Sequence, residues 1–288
     1  MDWVNAIVQG VLLGGLYALF AAGLSLMFGV MRFVNIAHGD FIVVGAYAAL
    51  LAVDLTGIYP LWALLLVVPV MGLLGYAGQY LLLNRTLGHD ILPPLLVTFG
   101  LSVIIQNVLL EVFSADSQKL QAGWLETASI PLGGGLNIGV MPLLIFVSAL
   151  LVIGGLQAFF YRSPLGRVLR ATSDDQDTVR LMGVDNKVVF AYATAIAMAV
   201  VGIAGVYLAM RTNFDPSVGP ARLLFAFEAV IIGGLGNLWG TLVGGIILGV
   251  AQAIGAQIDP GFQILAGHIA FLLVLLFKPQ GLFPKMRG

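Results

Sequence analysis

Long apolar runs alternate with short polar connectors along the whole chain. Most of the runs approach the ~20 residues that a helix needs to cross the hydrocarbon core of a bilayer. A transmembrane barrel would instead show ~10-residue segments of alternating polarity. The pattern predicts an all-α, polytopic membrane helix bundle within a single domain, residues 1–288. We expect eight or nine apolar segments, some short or re-entrant: 4–28, 41–53, 61–83, 92–113, 140–160, 188–210, 223–232, 241–256 and 262–277.

The composition agrees with this class of protein. The chain is 60% hydrophobic and only 9% charged, whereas soluble domains carry roughly 25% charged residues. It contains no Cys, so disulfides and thiolate metal sites are excluded. The net charge of -1 predicts no nucleic-acid partner, and the three scattered His residues predict no metal site.

One polar stretch, residues 161–187, interrupts this apolar chain and predicts a short helix outside the bilayer at 174–182. Ser173 and Gln176 have the spacing of a capping box, and Gly183 follows where a C-terminal glycine cap belongs. A helix this short is marginal alone in water, so its caps favour docking onto a partner over a solvated connector. Of the chain's 13 + 14 = 27 charges, nine lie in the stretch: Arg162, Arg167, Arg170, Asp174, Asp175, Asp177, Arg180, Asp185 and Lys187.

The distribution of basic residues predicts the orientation. Cytoplasmic connectors carry an excess of Lys and Arg. The first run lacks a preceding basic segment, so we expect it to be retained rather than cleaved as a signal peptide. With residues 161–187 in the cytoplasm, the N-terminus lies outside and the C-terminus inside. Lys119, Arg211 and Arg222 then lie outside, against ten inside: Arg32, Arg85, Arg162, Arg167, Arg170, Arg180, Lys187, Lys278, Lys285 and Arg287.

A second group of polar residues lies within or beside the apolar runs. Intramembrane carboxylates are costly and usually face the bundle interior with a partner, so Glu228 is a candidate for the translocation path or for a packing role. Asp40 and His38 form a similar cluster, for which interfacial placement is the favoured explanation. The polar break around Gly236 is tolerable at membrane depth only against protein or a water-filled path. The candidate path residues are Asn35, His38, Asp40, Glu228, Gly234, Gly236 and Asn237.

Two coarser patterns accompany these candidates. Residues 31–50 and 226–248 each combine a span, a glycine-containing break and a small-residue helix, as in the repeats of some transporters. Gly236, Gly240 and Gly244 form a small-residue ladder, for which close helix packing is the favoured explanation and a pore-lining or subunit-contact face the alternative.

The motifs of common enzyme classes are absent from the sequence. It has no Gly-x-Ser-x-Gly nucleophile elbow and no clustered His, Asp and Glu set. It also lacks the Gly-x-x-x-x-Gly-Lys-Ser/Thr phosphate loop, so this chain cannot bind and hydrolyse ATP in the P-loop manner. The chain is therefore not expected to be an enzyme. An ion- or proton-coupled secondary carrier that uses Glu228 and Asp40 stays open at this point.

Three segments, taken together, resemble the permease subunits of branched-chain amino-acid ABC importers, the LivH class. They are GLYALFAAGLSLMFGVMRFVNIAHGDFIVVGAY, LGRVLRATSDDQDTVRLMGVD and FAFEAVIIGGLGNLWGTLVGG, in that order, and the tail KPQGLFP is similar to the family's ending. The resemblance implies an inner-membrane permease that pairs with a second permease, identical or paralogous. The importer is completed by two cytoplasmic ATPase subunits and an extracytoplasmic solute-binding protein. ATP would bind to the ATPase subunits, and this chain would bind no cofactor.

The resemblance also assigns roles within the chain. The middle segment would be the coupling helix that contacts the ATPase, through Ser173, Asp174, Asp175, Asp177, Arg180 and Gly183. The solute is not implied, since related permeases carry branched-chain amino acids, amides, urea or aromatic acids.

Overall fold

The computed structural model describes residues 2–87, 92–133 and 136–283. Two 3-10 turns, Pro60–Ala63 and Leu83–Arg85, flank the third helix. The other elements in chain order are α1 Asp2–Met31, α2 His38–Thr56, α3 Leu64–Leu81, α4 Leu92–Phe113, α5 Trp124–Thr127, β1 Ser129–Gly133, β2 Leu136–Gly139, α6 Val140–Arg162, α7 Pro164–Asp174, α8 Gln176–Leu181, α9 Asn186–Arg211, α10 Gly219–Gly233, α11 Leu238–Ile258 and α12 Phe262–Phe277.

The helical architecture confirms the predicted fold class. Each of the nine apolar runs contains a helix, and seven of the described helices are long and apolar enough to cross a membrane. The two shorter ones are α10 and α12. The only described sheet is the antiparallel hairpin of β1 and β2, which lies in the connector before α6.

Glycines bring α1 and α11 into close contact. A Cβ at Gly14 would lie 2.5 Å from the Cα of Ile246, and a Cβ at Gly245 would lie 2.7 Å from the carbonyl oxygen of Gly14. Gly240 and Gly244 approach the backbone of α10 in the same way, whereas Gly236 lies in the turn before α11. Gly240 and Gly244 therefore allow close helix packing, which is the explanation favoured for the small-residue ladder.

The contacts between helices indicate that the triplet α1–α2–α3 is structurally equivalent to the triplet α9–α10–α11. Helix α1 packs along α11, as α9 packs along α3, and the N-termini of α2 and α10 meet. The two triplets run in opposite directions, as in the inverted repeats of transporters. The structure thus pairs α2 with α10, and the predicted repeat, which aligned α2 with α11, is wrong in its alignment.

Loop contacts define the two ends of the bundle. At one, called the coupling end, the Asn84 side chain donates to the carbonyl of Lys187 at 3.0 Å, and Arg32 donates to Ser173. At the other, the hairpin end, Gln9 donates to the carbonyl of Asn137 at 2.8 Å. Lys285 and Arg287 lie outside the described residues. The other eight basic residues predicted to be cytoplasmic belong to segments of the coupling end: Arg32, Arg85, Arg162, Arg167, Arg170, Arg180, Lys187 and Lys278.

Candidate functional site

The polar stretch after α6 folds as two helices. Helix α7 begins at Pro164, where the Ser163 hydroxyl accepts from the amide of Gly166 at 2.9 Å. The chain then breaks at Asp175 and continues as α8. We call α7 and α8 together the coupling unit. The prediction of a single helix at 174–182 is wrong in its start, because α8 begins two residues later than expected and Asp174 still belongs to α7.

The N-cap of α8 is Asp175, not Ser173. Its Oδ1 accepts from the amides of Asp177 and Thr178 at 3.0 and 3.1 Å, and its Oδ2 accepts from the Thr178 hydroxyl at 2.5 Å. These hydrogen bonds, first of all the one from the Thr178 side chain, hold the pKa of the Asp175 carboxyl below its usual range. The capping box expected from Ser173 and Gln176 is wrong, because Ser173 lies inside α7.

The predicted glycine cap at Gly183 is confirmed. Gly183 has a φ of 85°. Its amide donates to the carbonyl of Arg180, and the amide of Val184 donates to the carbonyl of Val179. This is the Schellman arrangement, which needs a residue in the left-handed region. Both ends of α8 are therefore held by specific caps.

The tip of the coupling unit is apolar and exposed. Leu181 is 89% exposed and Met182 is 78% exposed, although the coupling unit is otherwise rich in charge. Asp177 and Arg180 flank the tip on α8 and are exposed as well. An ordered helix that presents two large apolar side chains outside the apolar spans has the character of a protein contact.

The second candidate region lies in the centre of the bundle. His38 is fully buried, and its Nε2 donates to the carbonyl oxygen of Phe20 at 2.7 Å. Phe20 lies eleven residues before the end of α1, about 16 Å along the helix. The connector 32–37 therefore turns back into the bundle, and α2 begins in its interior.

Asp40 lies in the first turn of α2 and is 1% exposed. Its Oδ1 accepts from the Gln106 side chain of α4 at 3.0 Å. The interfacial placement favoured for His38 and Asp40 is thus wrong, because the connector returns into the protein. Asn35 helps to form this return, since its Oδ1 accepts from the amide of Ala37 at 3.0 Å.

Glu228 has a partner inside the bundle, as its position in an apolar run predicted. Its Oε1 is 2.5 Å from Nδ1 of His268 on α12, and Glu228 is 1% exposed. The ring of Phe225 lies between this pair and Tyr17 of α1, with centroids 6.4 Å from His268 and 5.1 Å from Tyr17. His268, which is isolated in the sequence, belongs to this central cluster.

Two arginines of the same region are not among the candidates that the sequence singles out. Arg211 and Arg222 are partly buried, and both lie near Tyr17. The Tyr17 hydroxyl in turn donates to Gln252 at 2.5 Å. Charge counting alone assigns both arginines to outer connectors. The position of Arg222 directly before a predicted apolar segment is the signal that could have singled it out.

The remaining path candidates lie elsewhere. Gly234 and Gly236 have φ of 103° and 79° in the turn between α10 and α11, and Gly236 packs against Gly29 near the end of α1. Asn237 caps α11 by accepting from the amide of Gly240 at 2.9 Å, and it donates to the carbonyl of Phe283 in the tail at 3.0 Å. The structure thus places these three at the coupling end, apart from His38, Asp40 and Glu228. Their part in the path stays a prediction.

Comparison with known proteins identifies the family. A family model described as "branched-chain amino acid transport system / permease component" matches residues 6–277. The chain belongs to this family. It is 31% identical to the high-affinity branched-chain amino acid transport system permease protein BraD of Pseudomonas aeruginosa, over 98% of this chain and 96% of the relative.

Two relatives from Escherichia coli refine this comparison. The chain is 26% identical to LivH and to LivM, both named permease proteins of the high-affinity branched-chain amino acid transport system. The match covers 96% of LivH but 68% of LivM. The chain is therefore a transport permease of the membrane and not an enzyme, and the comparisons lend no support to the ion-coupled carrier.

Proposed function

We propose that this chain imports branched-chain amino acids as one permease of an ATP-driven transporter. The observation that supports the proposal most directly is the coupling unit, a doubly capped helix with an exposed apolar tip in a chain without a phosphate loop. The energy of ATP hydrolysis would then enter through α7 and α8 from a separate cytoplasmic ATPase. The names of the relatives support the class of solute.

The second permease is a paralogous chain of the LivM type in this proposal. Two Escherichia coli relatives of this chain carry the same transport-system name, and the present chain matches the length of LivH rather than that of LivM. Two ATPase subunits at the coupling end and a solute-binding protein at the hairpin end complete the assembly.

The proposed orientation places the coupling end in the cytoplasm. The eight described basic residues of that end support this orientation through the positive-inside rule. The N-terminus then lies outside, because α1 enters from the hairpin end, and α12 leads the tail to the cytoplasmic side.

Uptake by the complete transporter tests this function. The permease, its partner subunits and the binding protein are reconstituted in proteoliposomes with radiolabelled L-leucine. We expect uptake that requires ATP and the ATPase and that ignores ionophores. Uptake by this chain alone, driven by a proton or sodium gradient, would contradict the proposal.

A further inference from the structure

The tail after α12 reverses direction and returns to the end of α10. Residues 278–281 form a β-turn, in which the amide of Gly281 donates to the carbonyl of Lys278 at 2.9 Å. Proline at the second position and glycine at the fourth are favoured in β-turns, so the sequence KPQG accounts for the reversal. We call residues 278–283 the tail segment.

Two backbone hydrogen bonds join the tail segment to the last turn of α10. The amide of Leu282 donates to the carbonyl of Ile232 at 2.9 Å, and the amide of Phe283 donates to the carbonyl of Gly233 at 3.1 Å. A helix leaves the carbonyl groups of its last turn without partners inside the helix. The tail segment supplies partners for two of these groups and thereby caps α10.

Gly281 allows the tail segment to lie this close to α10. It has a φ of 81°, which glycine adopts without the cost that a side chain would add. A Cβ at this position would lie 2.5 Å from the carbonyl oxygen of Ile231 and 2.6 Å from the Cα of Gly234. A side chain at Gly281 would therefore strain the turn and push the tail segment away from the helix.

The tail segment also holds the turn between α10 and α11. The Asn237 side chain, which caps α11, donates to the carbonyl of Phe283 at 3.0 Å. The same turn packs against the end of α1, because a Cβ at Gly236 would lie 3.1 Å from the Cα of Gly29. The carbonyl of Gly29 in turn accepts from the hydroxyl of Ser173 in α7. A continuous series of contacts therefore joins the coupling unit to the end of α10.

Helix α10 connects the coupling end with the interior of the bundle. It has 15 residues, about 22 Å, which is too short to cross the bilayer. Its first turn meets the start of α2, where a Cβ at Gly39 would lie 2.7 Å from the amide nitrogen of Leu223. The hold on the C-terminal end of α10 therefore also bears on its contact with α2.

We propose that the tail segment is a clamp that positions α10 for translocation. A displacement of the coupling unit reaches the turn before α11 through the end of α1, and the tail segment makes the end of α10 follow that turn. The tail segment acts through its backbone and positions a helix without touching the solute. The inference rests on the proposed function and extends it, because it gives the C-terminal tail a part in coupling ATP hydrolysis to import.

Two truncated chains test the clamp in the complete transporter. One ends after Lys278, and its matched control ends after Phe283 and keeps the tail segment. The two differ only by the uncharged residues PQGLF, and both lack Lys285 and Arg287. We expect the shorter chain to import about tenfold less L-leucine per ATP hydrolysed, the scale set by the loss of three hydrogen bonds. The longer chain should match the full chain, and equal ratios in the two truncated chains would overturn the proposal.

Gly281→Ala and Gln280→Ala test the same contact in the full-length chain. Both variants place an alanine in the turn, but only the alanine at 281 meets the end of α10, since Gln280 is exposed. We expect Gly281→Ala to lower the amount of leucine imported per ATP hydrolysed and Gln280→Ala to leave it unchanged. Equal ratios in the two variants would contradict the clamp.

Hydrogen exchange measures the clamp without transport. Mass spectrometry of the assembled transporter compares the amides of residues 226–232, in the second half of α10, between the two truncated chains. We expect these amides to exchange about tenfold faster in the chain that ends after Lys278, because the unclamped helix end opens locally. Residues 197–208 of α9 should exchange equally in both chains and serve as the internal control.

This measurement separates the clamp from the proposed function. Equal exchange of α10 in the two truncated chains would overturn the clamp, even if leucine uptake is normal. Faster exchange in the shorter chain, in a transporter that does not import leucine, would support the clamp and contradict the proposed class of solute.

Discussion

The hydroxyl of Ser173 donates to the main-chain carbonyl of Gly29 across 2.5 Å. The carbonyl of Ser173 accepts from the guanidinium of Arg32 at 2.9 Å. Through these two bonds, the end of α7 is attached to the end of α1, and α1 packs against α11, α9 and α10. We therefore expect a displacement of the coupling unit to be passed to the helices that surround the bundle centre.

We expect Ser173→Ala to loosen this attachment and to lower the amount of leucine transported per ATP hydrolysed. The change removes a hydrogen bond of about 1 kcal/mol without altering the apolar spans, so membrane insertion should be normal. Arg32→Gly should act in the same direction, because it removes the guanidinium group that donates to the carbonyl of Ser173. Glycine freely adopts the φ of 59° found at this position, so the backbone should keep its conformation.

The control for this prediction is Thr172→Ala. Among the described residues, the Thr172 hydroxyl donates to the carbonyl of Val168 within α7, at 2.9 Å. Its loss should leave the transport-to-ATP ratio near the wild-type value. A normal ratio in both the Ser173 and Arg32 variants would rule out this route of transmission.

Gly183→Val is expected to weaken the association with the ATPase. The residue occupies the left-handed region, where a side chain costs roughly 1–2 kcal/mol and a β-branched one is particularly unfavourable. In the described part of the chain, no heavy atom other than those of the adjacent residues lies within 4 Å of a Cβ at this position, so the effect is one of backbone conformation. Gly183→Asn is the matched control, because Asn tolerates this region. Co-purification of the ATPase with each variant provides the measurement, and equal losses in both would refute the cap-based explanation.

Asp175 predicts a pH dependence of ATPase association. Its carboxyl has a lowered pKa in the folded protein because of hydrogen bonds from Thr178 and Asp177. Its contribution to the stability of α8 is therefore present above the pKa of an unfolded Asp and is lost as the pH falls through the lower, folded value. Association should weaken over that acidic range in the wild type.

Asp175→Asn separates the charge from the cap. Asn is about as good an N-cap as Asp but does not titrate, so its variant should bind the ATPase at neutral pH and show less pH dependence. Asp175→Ala should weaken association at every pH. Identical pH profiles for the wild type and the Asn variant would show that another group titrates.

Glu228 and His268 should behave as one unit in thermal unfolding. His268→Phe retains an aromatic ring against Phe225 but leaves the buried carboxylate of Glu228 without its partner. We expect this single change to lower the midpoint of unfolding in detergent. Adding Glu228→Gln should recover part of the loss, with a coupling of about 0.5–3 kcal/mol. Additive losses in the double variant would argue against an energetically important pair.

The spans were predictable because length and apolarity alone determine them. All nine runs contain helices at nearly the expected positions. The cap at Gly183 was predictable for a similarly local reason, since a glycine directly after a short helix commonly adopts the left-handed conformation that ends it. The start of α8 was not, because Ser173 and Asp175 both fit a capping pattern. The pair Ser163–Pro164, a good N-cap followed by proline at the first helical position, was the local signal for α7.

The centre of the bundle depends on tertiary structure that local patterns do not contain. His38 and Asp40 are buried, not interfacial, because the connector after α1 returns into the bundle. Glu228 and His268 are 40 residues apart on different helices, and only the packing of α10 against α12 brings them together.

The claim on which this account rests is that ATP hydrolysed on another chain acts on this one through α7 and α8. A photoreactive benzophenone on Leu181→Cys, a unique thiol in this chain, tests it in the assembled transporter. We predict an efficient crosslink to the ATPase subunit, since Leu181 is 89% exposed at the tip of α8. A crosslink to the solute-binding protein instead, or labelling of this thiol from outside intact cells by a membrane-impermeant maleimide, would contradict the claim.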